Sequence, residues 1–96
     1  MHIISRKALK DFWEKHPESE EPLKAWFKIV HATRYVGYNV LKATFGSIDK
    51  VGDKIVFNIG GNKYRLITVI HFNTGRLYVR HVLTHEEYDR GGWKNG

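Results

Sequence analysis

Apolar residues repeat at a helical period through the first third of the chain and at an extended period through most of the rest. His2-Ile3-Ile4 reads as a short first strand, with Ser5 as the N-cap of the helix that follows. Leu9, Phe12 and Trp13 fall at i, i+3 and i+4, with Lys10, Asp11, Glu14 and Lys15 on the other side. That pattern predicts an amphipathic helix of about three turns. The His16-Pro17 step ends it, because proline disfavours helical geometry in its predecessor. A second helix starts near Ser19, with Glu20 and Glu21 suited to its positive end and Pro22 tolerated in its first turn. Leu23, Trp26, Phe27 and Val30 give it one apolar face, and it runs to about Thr33.

From there the period changes. Residues 40–45 read as a short strand or extended segment, and residues 46–53 as a loop rich in turn formers. Lys54 to Ile59 alternates as a strand, with Ile55, Phe57 and Ile59 on one face. Gly60-Gly61-Asn62 is a hairpin turn, since these residues accept positive φ. Lys63 to Phe72 reads as the longest strand, apolar on both faces and therefore central and covered. Asn73-Thr74-Gly75 is a second turn, and Arg76 to Thr84 the last strand. His85 to Arg90 is a short helical turn, and residues 91–96 a loose tail. The expected fold is α+β, ordered β-α-α-β-β-β: two N-terminal helices packed on one face of a small, mostly antiparallel sheet. Phe12, Trp13, Trp26 and Phe27 belong to the core of that packing, and the other sheet face is free to hold a site.

Ninety-six residues make one domain, spanning 1–96, that buries somewhat over ~60% of its unfolded surface. The absence of cysteine excludes disulfides and thiolate metal sites. Met1-His-Ile-Ile is too short for a signal peptide, and no apolar run approaches the ~20 residues of a membrane span. The expectation is a soluble cytoplasmic protein with no membrane partner.

Charge sharpens the picture. The chain carries 16 Lys and Arg against 10 Asp and Glu, a net of +6, with a pI near 9.7. Residues 1–53 hold nine basic and seven acidic groups, and residues 54–96 seven and three. The second half is therefore the more positive, and a field of that sign attracts polyanions.

That half also carries the candidate chemistry. Arg65 shares strand parity with Ile67, Val69 and His71, close to the first hairpin turn. A partly enclosed arginine needs an anionic partner, yet no acid occurs between Lys54 and Arg80. The partner is a bound phosphate, or else Glu86, Glu87 or a helix acid. Arg80 and Thr84 share parity, opposite His81 and His85. His85 stands at a strand-to-helix junction, where an imidazole accepts the proton of a ribose 2′-hydroxyl or protonates a leaving 5′-oxygen. Tyr88, three residues on, lies on the same helical face and could stack on a base or share a proton. Each also has a plain structural reading: His85 as a surface residue at a strand end, Tyr88 as packing over the sheet edge. Lys54, Lys63, Arg76, His81 and Lys94 are the further basic residues read as RNA contacts. No metal or other cofactor is expected: on a strand His81 and His85 lie ~13 Å apart at ~3.3 Å per residue. Gly60-Gly61-Asn62-Lys63 lacks the spacing of a phosphate-binding loop.

The chain resembles the HigB toxins, within the wider RelE/ParE toxin superfamily. The likeness is carried by His2-Ile-Ile-Ser-Arg-Lys-Ala-Leu, Leu41-Lys-Ala-Thr-Phe, Val56-Phe-Asn-Ile-Gly-Gly-Asn62, Tyr64-Arg-Leu-Ile67 and Val82-Leu-Thr-His-Glu-Glu-Tyr-Asp89. G-G-N-x-x-R together with T-H-x-x-Y is its most specific part. The resemblance implies a RelE-like fold and a toxin that cleaves mRNA, usually on the ribosome. It implies silencing by a HigA antitoxin carrying a helix-turn-helix domain. It places functional residues on Arg65, His85 and Tyr88, with Arg80 alongside. The ParE branch shares the fold but poisons DNA gyrase. Two classes therefore stand: a metal-independent endoribonuclease, and a non-catalytic binder, either a gyrase poison or an RNA-binding module.

Overall fold

Five strands form one sheet in the order β1-β5-β4-β3-β2 in the computed structural model, which describes residues 1–95. The strands are β1 (His2–Ile4), β2 (Asp49–Val51), β3 (Lys54–Ile59), β4 (Tyr64–His71) and β5 (Arg76–Thr84). β1 runs parallel to β5 and every other pair is antiparallel. β4 takes the central place its two-sided apolar pattern predicts. It is not the longest strand, because β5 exceeds it by one residue. Both turns expected around β4 form, and Gly60 (φ 61) and Gly61 (φ 70) supply the left-handed conformations the first one needs.

Three helices, not two, precede the β2–β5 meander. α1 (Arg6–Lys15) and α2 (Glu20–Ala32) match the expected amphipathic pair, joined by a 3₁₀ turn over Pro17–Ser19. Ser5 takes the N-cap position, with extended backbone but no side-chain capping bond. The third, α3 (Tyr38–Thr44), replaces the expected extended segment. Tyr38, Leu41 and Phe45 stand at a helical spacing, so only a helix turns all three toward the core. Residues 46–53 are not wholly loop either. Asp49–Val51 pairs with β3 across a Gly52-Asp53 turn, and the turn formers mask so short a strand.

The helices cover the inner face of the sheet. Leu9, Phe12, Leu23, Trp26 and Leu41 meet Ile55, Phe57, Ile59, Leu66 and Leu77 there in one buried cluster. The outer face carries a second, smaller cluster, in which Val56 and Ile67 lie beneath Trp93, with Val51, Leu83 and Tyr88 around them. α4 (His85–Arg90) and a 3₁₀ turn (Gly92–Asn95) bring Trp93 there, where it is 4% exposed. The expected loose tail is thus anchored by its one large apolar residue, and Gly96 lies outside the described residues.

Candidate active site

The outer face and α4 together position the candidate side chains. Residues paired directly across antiparallel strands share a face. Arg65 pairs with Asn58 and Leu83, and Ile67 with Val56 and His81, so all six side chains belong to the outer face. Between Val79 and His81 the register slips, leaving Arg80 as an extra residue opposite the Ile67/Thr68 step. This β-bulge overturns the simple alternation expected for β5. Thr84, paired with Tyr64, belongs to the inner face, whereas the Arg80 guanidinium lies 5.6 Å from the ring of outward-facing Tyr78. Arg80 and His81 therefore serve the same face.

α4 starts abruptly because its sequence carries a complete capping box. The Glu87 amide donates to Thr84 Oγ1 at 3.2 Å, and the Thr84 amide donates to Glu87 Oε1 at 2.9 Å. The bond from the Thr84 amide, helped by its hydroxyl and by the charges of His16 and Arg90, holds the Glu87 carboxyl below the usual range despite some burial. The His85 amide donates to Lys63 O at 3.0 Å, tying the start of the helix to the β3–β4 turn. His85 and Tyr88 then lie one turn apart on the same helix. His85 Nδ1 stands 3.0 Å from Asp89 Oδ2, with both side chains more than half exposed. That contact selects the tautomer with hydrogen on Nδ1 and leaves the Nε2 lone pair free.

Tyr88 bridges the buried cluster and the charged rim. Trp93 stacks on it at 5.0 Å and 13°, and the indole Nε1–H donates to Tyr88 O at 2.9 Å. The Arg65 guanidinium carbon is 5.3 Å from the Tyr88 ring centroid. With Trp93 against one face, the phenol oxygen rather than the ring is what Tyr88 presents. Arg65 Nη1 donates to Asn62 O at 2.9 Å and to Tyr64 O at 3.2 Å. Among the described residues, no ion pair includes Arg65. Glu86 is engaged by Arg90 at 2.7 Å and Glu87 by the helix cap, so the two C-terminal carboxylates expected as alternative partners are already used. A fixed cation without an internal anion is an open place for a phosphate oxygen.

The remaining candidates are dispersed. Lys63 pairs with Glu18 at 3.7 Å, at the edge of the helical layer. Lys54 pairs with Asp53 at 3.5 Å, and its side chain is only 16% exposed. Arg76 pairs with His71 at the far end of β4, some ~20 Å from Arg65 at ~3.3 Å per residue. Lys94 stands over Trp93 at 5.7 Å. Arg80 and His81 line a groove of about 280 Å³ between α1 and β5, which Lys15 and Asp11 also border. Among the described residues no group of three or more His, Asp or Glu side chains is arranged to hold a metal ion.

Three residues at or beside the site escaped the reading of the sequence. The contact of Asp89 with His85 was legible in its i, i+4 spacing. Trp93 gave no periodic signal inside a Gly-rich tail. Lys15 needed the placement of α1 along the edge of β5.

The element order, the sheet and the basic outer face with its C-terminal helix define a RelE-like α+β domain. The family model described as HigB_toxin, RelE-like toxic component of a toxin-antitoxin system, matches residues 19–91. The mRNA interferase toxin HigB of Escherichia coli K12 is 41% identical over 92 residues, covering 93% of this chain and 88% of that protein. The mRNA interferase HigB of Shigella flexneri is similar to the same extent. That of Escherichia coli O6:H1 is 30% identical over 93 residues, covering 94% of this chain and 90% of its own length. The chain belongs to the HigB toxin family.

Proposed function

We propose that this toxin is an endoribonuclease that cleaves mRNA on the ribosome, in the cytoplasm, by attack of a ribose 2′-hydroxyl on the adjacent phosphate. Relatives named mRNA interferases supply the substrate class. The observation that carries the mechanism is Arg65, a cation anchored through Nη1 beside Tyr88 and matched by no carboxylate among the described residues. Its Nη2 and Nε are the donors for the non-bridging oxygens of the phosphorane, where negative charge grows. His85 Nε2 takes the 2′-hydroxyl proton as the 2′-oxygen bonds to phosphorus. The bond from phosphorus to the 5′-oxygen breaks, and the Tyr88 phenol protonates the leaving oxygen. The products are a 2′,3′-cyclic phosphate and a 5′-hydroxyl. Because Arg65 supplies the charge, the route requires no metal. Arg80, His81 and Lys94 extend the positive surface along which the strand lies, with Lys54, Lys63 and Arg76 contributing at longer range. The partner that silences the toxin is a HigA-type antitoxin with a helix-turn-helix domain.

The test is end-group analysis of mRNA cleaved by the purified toxin on programmed ribosomes. A 2′,3′-cyclic phosphate is expected, with cleavage surviving EDTA on a ribosome-free substrate. Products ending in a plain 3′-hydroxyl would refute the mechanism. Intact transcripts alongside cleaved gyrase–DNA complexes would replace the reading altogether.

A further inference from the structure

On the side of the sheet away from the candidate site, α1 and α2 leave two adjoining depressions of about 130 and 380 Å³, sharing Arg6, Trp13 and Lys24. Their apolar lining is Leu9, Trp13 and Phe27, and the rim is Arg6, Lys7, Lys10 and Lys24. Among the described residues, no acidic one lines either depression. Lys7 and Lys24 hold carboxylates of their own helices, Asp11 and Glu20. Arg6 and Lys10 belong to no ion pair among the described residues.

We propose that this groove is the docking site for the antitoxin, through an acidic amphipathic helix. A groove between two helices with an apolar floor takes the apolar stripe of a third, read as anchors at i, i+3, i+4 and i+7. The cationic rim then requires acidic flanks, and it steers and orients the encounter. RNA fits the groove less well. Single-stranded RNA uses open aromatic faces, whereas Phe27 lies between Arg6 at 4.9 Å and His31 at 5.4 Å, and Trp13 carries Lys24 at 5.4 Å. The inference rests on the family's being the toxic half of a toxin–antitoxin pair and not on the roles given to Arg65 and His85.

The double variant Arg6→Glu/Lys10→Glu tests it. Both residues are exposed near the start of α1, where acidic side chains are compatible with the helix. Circular dichroism of the purified variant checks the fold, and Trp13→Ala provides an independent lesion of the floor. Three readouts are taken: mRNA cleavage without antitoxin, affinity for the purified antitoxin, and growth on co-expression with it. The variant is expected to cleave and to kill as the parent does, and to bind the antitoxin at least tenfold more weakly, so that co-expression no longer restores growth. Binding should also weaken steeply with added salt in the parent and much less in the variant. Undiminished affinity and rescue in both variants would overturn the proposal. Loss of cleavage with affinity intact would assign the groove to RNA or the ribosome and overturn it equally.

Discussion

Arg65→Ala separates the chemistry of the outer face from its stability. In the folded chain Arg65 makes two hydrogen bonds to backbone carbonyls, one of them exposed, and stands over the Tyr88 ring. Exposed or half-exposed contacts of this kind sum to about 2 kcal/mol at most. No buried carboxylate is left behind, so the larger cost of an orphaned ion does not arise. A domain with a total stability of ~5–15 kcal/mol stays folded after such a loss. In the mechanism proposed above, the same side chain faces an extra negative charge in the transition state. One preorganised donor there is worth ~10²–10³ in rate, or ~2.7–4 kcal/mol. The variant should therefore keep its far-ultraviolet spectrum and melt lower by ~8–16 °C at most, while single-turnover cleavage on programmed ribosomes falls by ~10²–10³. Arg65→Lys should recover part of the rate, since the charge returns without the planar fork. A folded Arg65→Ala chain that cleaves at the parental rate would refute the assignment and make the arginine a surface residue of the hairpin.

Other perturbations read other parts of the site. His85→Gln should bind ribosomes nearly as the parent does and cut ~10²–10⁴ more slowly, as chemical quench and filter binding would show; equal losses in both would make His85 a positioning residue. Asp89→Asn should lower kcat with little change in KM, because the Nδ1 contact that orients His85 loses its charge; an unchanged kcat would make the pair an ordinary surface contact. Glu87 has a folded pKa below its ordinary value, so the stability it lends α4 is complete above the unfolded carboxylate pKa and is lost as pH falls through the lower folded one. Protection of the α4 amides against hydrogen exchange, taken relative to their intrinsic rates at each pH, should therefore fall on acidification, and Glu87→Ala, costing about 1 kcal/mol, should remove that dependence. Trp93→Ala empties the outer cluster and should cost about 3 kcal/mol in urea unfolding, with cleavage falling as α4 loses its support.

How much of this was legible in the sequence depended on whether the decisive contacts are local. α1, α2, β3 and β5 follow from periodicity and turn chemistry, signals that a window of a few residues carries. α3 was missed because it is only seven residues long and buries only Leu41 fully, which leaves too little period to tell helix from strand. β2 was missed because three residues next to a Gly-Asp turn hold stable geometry only through pairing with β3. Arg65, His85 and Tyr88 stood out as residue types that a structural domain does not require. The bulge at Arg80 did not stand out, since nothing in Tyr78-Val-Arg-His81 marks the missing pairing step.

The bulge and the buried tail have one physical consequence in common. Without the extra residue, strict alternation running toward the C-terminus from the turn would put Arg80 and His81 on opposite faces, one of them against the helical core. The slip allows an unbroken inner face of Leu77, Val79 and Val82 to coexist with basic residues at both Arg80 and His81 on the outside. Trp93 then covers the apolar patch that Val56 of β3 and Ile67 of β4 form on the outer face, the latter because β4 is apolar on both sides. Burying that patch draws the Tyr88 ring down onto Trp93 and holds it beside Arg65. The apolar requirement of the central strand is therefore what fixes α4 over the arginine. Changes made to stabilise Trp93 or its neighbours should alter cleavage even where they touch no charged residue.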